Sequence, residues 1–152
     1  MDNILEKIKE LRELTQAPIG ECRQALEESS NDLEKAKKIL QERGAKIAEK
    51  KADRDAKQGI IETYIHRQGR IGVLLELLCE TDFVAENQVF RDLAHNLAMQ
   101  IASMDPANEE DLINQPFIKD TSKTVKQLVD EVIGQVGENI KIGRFSRYEI
   151  GG

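Results

Sequence analysis

The spacing of apolar residues divides the chain. From Ile4 to Leu40 they recur every three or four positions, and from Gly59 to Glu80 they alternate or run on. The helical spacing returns at Val89. The first stretch predicts three short helices. Asn3 is placed to cap the first, with Glu6 three residues on as reciprocal partner, and Ile4, Leu5, Ile8, Leu11 and Leu14 form its apolar stripe. Pro18 opens the second helix, where its fixed φ and missing N–H cost nothing, and Ile19, Cys22 and Leu26 face one way. Asn31 with Glu34 signals the third, carried by Leu33, Ala36, Ile39 and Leu40, and Gly44 lies where a helix ends in left-handed conformation.

Residues 45–57, AKIAEKKADRDAK, are charged, Ala-rich and free of Gly and Pro, the composition of a linker or an exposed helix. Strands follow at Gly59–His66 and Ile71–Glu80, joined by a turn at Arg67–Arg70. A four-residue turn pairs His66 with Ile71. Ile60, Tyr64, Ile71, Val73, Leu75 and Leu77 then share one side, with Ile61, Ile65, Leu74 and Leu78 on the other. Residues 81–86 form a corner. Val89, Phe90, Leu93, Ala94, Leu97, Ala98 and Ile101 trace a helix ending before Pro106, Glu109–Ile113 allow a further turn, and a last helix spans about Ser122 to Val136. Ile140, Ile142, Tyr148 and Ile150 close the chain as a strand with a kink at Gly143. The expected class is α+β: a three-helix bundle over residues 1–44, the segment 45–57, and a core over 58–152 in which a small three-stranded antiparallel sheet packs with helices.

Charge narrows the function. Lys and Arg number 22 against 28 Asp and Glu, a net charge of −6, which disfavours broad contact with nucleic acid. No apolar run approaches the length of a membrane span, and the N-terminus MDNILEKIKEL carries acids where a signal peptide needs an unbroken apolar stretch. Cys22 and Cys79 are two isolated cysteines on apolar faces. They predict free thiols in a reducing cytoplasm.

The inventory of reactive groups is thin. His66 and His95 lack partners at ligand spacing, no Ser stands in a nucleophile elbow, and the glycines form no phosphate loop. We therefore expect no enzyme, no metal and no cofactor. The corner at Thr81-Asp82-Phe83-Val84 is unusual, because Phe83 is one of six aromatic residues, four Phe and two Tyr. Two readings stand: Asp82 caps the turn while Phe83 tucks beneath it, or Phe83 is an exposed aromatic anchor beside a carboxylate.

At these residues a resemblance enters. The segments LRELTQAPIGECRQALEES and NDLEKAKKILQERG resemble the N-terminal domain of the elongation factor Ts family. LLCETDFVAENQVF is similar to that family's central signature, and GENIKIGRF to its closing strand. The three lie in order and span nearly the whole chain. The family's N-terminal bundle resembles ubiquitin-associated domains. Long members carry a second core copy and a projecting coiled-coil hairpin, and this chain resembles the short form. Where members commonly have two bulky residues, it has Ile19 and Gly20.

The resemblance implies a guanine nucleotide exchange factor for elongation factor Tu, with Phe83 as a wedge, Asp82 disturbing the magnesium side of the GTPase, and Thr81 and Val84 shaping the corner. It implies docking of the bundle through Arg12 and Ile19. The composition change at residues 45–57 marks that bundle as a separable module, and because the corner lies beyond it, residues 1–44 are expected not to release nucleotide alone. A ubiquitin-like-binding adaptor would leave the corner idle, and an RNA-binding translation protein would need a basic surface. Apolar residues on both sides of the sheet predict a homodimer, one chain covering the other's open face.

Overall fold

The computed structural model describes residues 3–152. From the N-terminus the elements run α1 (Ile4–Thr15), α2 (Ile19–Glu28), α3 (Leu33–Lys51), β1 (Gln58–His66), β2 (Ile71–Cys79), α4 (Asp82–Ala85), α5 (Gln88–Met104), α6 (Glu109–Asn114), β3 (Pro116–Phe117), β4 (Asp120–Thr124), α7 (Val125–Val136) and β5 (Lys141–Glu149). The class is the expected α+β one.

The first three helices enclose a small core of Ile8, Leu11, Ala17, Cys22, Ala25, Leu26, Ala36 and Leu40. Asn3 caps α1, its side chain accepting from the Leu5 N–H at 3.1 Å. The apolar stripe of α1 is narrower than its sequence suggests. Ile8, Leu11 and Thr15 are buried, whereas Ile4, Leu5 and Leu14 are exposed, because α2 and α3 cover only a narrow arc of the helix. Thr15 tolerates burial by donating its hydroxyl to the Leu11 carbonyl at 2.7 Å. Ile19 is also outside this core, at 48% exposure. Asp32, not Asn31, caps α3, accepting from the Lys35 N–H. Asn31 is needed one residue earlier, in a left-handed turn with Ser30.

Gly44 does not end a helix. α3 continues to Lys51, taking in part of the charged segment, and Gly44 lies buried against α7. A Cβ built there would sit 3.0 Å from the Asp130 carbonyl oxygen, so this glycine serves close helix approach. Ala48, one turn on, joins the second and larger core.

That core is built on the antiparallel sheet, in order β1-β2-β5. His66 pairs with Ile71, Tyr64 with Val73 and Ile60 with Leu77, the register expected from a four-residue turn. α5 covers one face, and its Phe90, Leu93, Leu97 and Ile101 share a core with Ile71, Val73, Leu75 and Leu77. β5 slips register between Leu75 and Leu77, beside Gly143, where the kink was expected. The other face stays open: Ile61, Ile65, Leu74 and Tyr148 are exposed. The short hairpin β3–β4 was not foreseen, and it claims Ser122–Thr124 from the expected last helix. α7 begins at Val125, with Thr124 and Gln127 forming a capping box. Among the described residues no helix is long and apolar enough to cross a membrane.

Candidate functional site: a braced aromatic corner

β2 ends at Cys79, whose buried thiol donates to the Thr81 carbonyl at 3.1 Å. Burial pushes this thiol's pKa above its ordinary value, reinforced by the Glu138 carboxylate. Thr81 is extended, at φ −129° and ψ 158°, and caps α4 by accepting from the Val84 N–H at 3.3 Å. Thr81 therefore holds the capping role that the sequence offered to Asp82. One turn of helix then sorts its residues. Val84 and Ala85 face the core, while Asp82 and Phe83 face solvent.

Phe83 is 83% exposed, the largest value among the exposed large hydrophobics. The tucked reading is thereby excluded. An aromatic ring this exposed contributes little packing within the chain.

The turn is anchored from the far end of the sequence. Glu138 accepts from the Glu80 N–H at 3.2 Å, the Thr81 N–H at 3.0 Å and the Thr81 hydroxyl at 2.7 Å. The next residue returns the contact, its Asn139 N–H donating to the Glu80 carboxylate at 2.6 Å. The Asn139 side chain donates to the Ala52 and Arg54 carbonyls at 3.4 and 2.8 Å, just beyond α3, and Arg54 lies 3.6 Å from Glu80. Sequence reasoning singled out the segment GENIKIGRF but gave Glu138 and Asn139 no role. Contacts spanning 57 to 59 residues leave no local signal.

The structure puts Thr81, Asp82, Phe83 and Val84 on a single turn. Arg12 and Ile19 are exposed on α1 and α2 of the bundle, which has its own core. The space around Gly20 is open: nothing lies within 4 Å of a Cβ built there. Cys22 is buried and its pKa is raised, chiefly by burial. Both histidines meet Tyr64: it shares a hydrogen bond with the His66 Nδ1 at 3.1 Å, and its ring lies 5.7 Å from that of His95, edge to face. Among the described residues no three His, Cys, Asp or Glu side chains are grouped to hold a metal ion.

Fold and site together define an α+β protein that presents a solvent-facing aromatic on a braced turn. A sequence model of the family described as Elongation factor TS matches residues 80–152. Elongation factor Ts of Thermotoga neapolitana is 42% identical over 194 aligned positions, covering 99% of this chain and 98% of that one. The Desulforamulus reducens protein is 40% identical over 95% of this chain and 87% of its own length, and the Rubrobacter xylanophilus protein 39% identical over 96% and 98%. The alignment to the Thermotoga protein is longer than the chain's 152 residues, so that relative carries internal residues without counterpart here. The chain belongs to the elongation factor Ts family.

Proposed function

We propose that this chain promotes release of GDP from elongation factor Tu, the GTPase that carries aminoacyl-tRNA. The observation that carries the reading is Phe83, solvent-exposed on a turn whose first residue, Thr81, is held by Glu138 and caps the helix. Such a side chain is ready to insert between elements of a partner without first leaving its own core. Inserted beside the phosphate and magnesium region of the GTPase, it favours the nucleotide-free form. Asp82 adds negative charge on the magnesium side, while Thr81 and Val84 hold the turn. No covalent bond is made or broken.

The energetics follow from linkage. If the factor binds the empty GTPase more tightly than the GDP-bound one, GDP binding is weakened by the same ratio. Each tenfold of that ratio requires about 1.4 kcal/mol of differential contact. Burial of one aromatic anchor at an interface can supply about 2 kcal/mol or more. Residues 1–44, through Arg12 and Ile19, supply docking contacts present in both states, and residues 58–152 supply the discriminating ones, with 45–57 joining them. On this division the bundle alone would dock without releasing nucleotide.

The working unit in this reading is a homodimer formed through the sheet. Ile61, Ile65 and Tyr148 are 64%, 67% and 80% exposed on one face, and a second copy would cover them through a self-complementary contact. Light scattering at micromolar concentration checks this, with a mass near 17.2 kDa counting against it.

The exchange reading is tested by capturing purified elongation factor Tu on the immobilised chain, with and without GDP. Preference for the nucleotide-free form by about tenfold or more supports it, the ratio that 1.4 kcal/mol provides. Equal capture of the two forms overturns it.

A further inference from the structure

The brace of the corner lies outside the residues to which the family resemblance gives a role. We propose that Glu138 is a positioning residue for exchange, fixing the direction in which Phe83 is presented; this rests on the exchange reading above.

α4 has four residues and cannot hold itself. A single helical turn fixes several dihedrals for very few hydrogen bonds, which makes it unfavourable alone. Its own backbone bonds are those of Ala85 N–H to the Thr81 carbonyl, Glu86 N–H to the Asp82 carbonyl and Asn87 N–H to the Val84 carbonyl, at 3.2, 3.1 and 2.9 Å. The orientation of Phe83 must therefore be imposed from outside α4.

Glu138 imposes it through Thr81. Its Oε1 receives the Glu80 and Thr81 N–H groups, and its Oε2 receives the Thr81 hydroxyl. Because that hydroxyl proton points at the carboxylate, a lone pair on Oγ1 is turned toward the Val84 N–H. The chain of contacts thus runs from Glu138 through the cap to the first turn of α4. Asn139 fixes Glu138 from behind by binding Glu80 and the carbonyls of Ala52 and Arg54, so the brace also touches the helix that leads back to the bundle. Charge-assisted bonds of this kind hold geometry more tightly than neutral ones.

A loosened turn still carries Phe83, so encounter with the GTPase survives while insertion becomes inaccurate. Misplacement by about 1 Å can cost about a hundredfold in rate. The test measures GDP release from elongation factor Tu across a range of concentrations of the full chain, separating maximal rate from half-saturating concentration. Glu138→Ala should lower the maximal rate at least about tenfold and change the half-saturating concentration less than about twofold. Glu138→Gln, which keeps an oxygen for the two N–H groups and an amide for Oγ1, should recover most of that rate. Leu112→Ala, a core truncation in α6, should lower the melting temperature and leave the maximal rate unchanged. If Glu138→Ala fails to fold, Thr81→Val against Thr81→Ser reads the same link, with Ser active and Val slow. Glu138→Ala exchanging at the wild-type maximal rate while Phe83→Ala is slow overturns the proposal and leaves the exchange reading standing. A wild-type rate for Phe83→Ala overturns both.

Discussion

Gly44 and Gly134 meet where α3 crosses α7: a Cβ built on Gly134 would stand 3.1 Å from the Gly44 Cα. Neither neighbour is a flexible side chain, so any added methyl must push one helix backbone from the other. The crossing carries the bundle onto the core, and Ala48 extends the contact into it.

Gly134→Ala should therefore destabilise the protein although alanine is the better helix former. The propensity gain is about 1 kcal/mol, and overpacking costs about 1–3 kcal/mol. Gly20→Ala is the control. It lies in α2 with open space around it, so it should gain up to about 1 kcal/mol of stability. Denaturant melts of both variants check the pair; equal shifts would mean that the crossing does not constrain side-chain size.

Phe83→Ala should leave the melting temperature nearly unchanged, since an 83% exposed ring contributes little packing within the chain. Exchange on elongation factor Tu should fall at least about tenfold, because an interface anchor worth about 2 kcal/mol is lost. Thermal melts run beside exchange assays separate the two effects. Early melting with normal exchange per folded molecule would remove the wedge from the account.

On the open face of the sheet, the Arg144 guanidinium grips Glu76 with two bonds of 2.9 Å and holds its carboxyl pKa at about 2, below the ordinary 4.5. A depressed carboxyl stabilises the fold fully above the ordinary value and loses that contribution as pH falls toward the folded value. The window is pH 4.5 down to about 2. Carboxyl-carbon NMR should show Glu76 titrating near the lower limit, and Arg144→Gln should raise the midpoint toward the ordinary value. At this exposed pair the stability involved is small. An unchanged midpoint in Arg144→Gln would assign the shift to another group.

Most of the architecture was legible in the sequence because it is written locally. The 3.6-residue spacing of Phe90, Leu93, Leu97 and Ile101 marks α5, and the Arg67–Arg70 turn sets the register of β1 on β2. The misreadings share one cause. Gly44 after an apolar helical pattern reads as a terminus, and only the approach of α7 shows otherwise. Leu5 and Leu14 fit the periodicity of α1, but the bundle lacks the breadth to cover them. The site divides the same way. The corner stood out by composition, whereas its dependence on Glu138 and Asn139 requires two strands to bring residues some sixty positions apart together.

The most direct test of the account is displacement of fluorescent GDP from purified elongation factor Tu, followed in real time after addition of the chain. The account predicts that substoichiometric amounts accelerate release and that the observed rate rises with concentration to a plateau. Release at the spontaneous rate at every concentration, from protein shown to be folded, would contradict it.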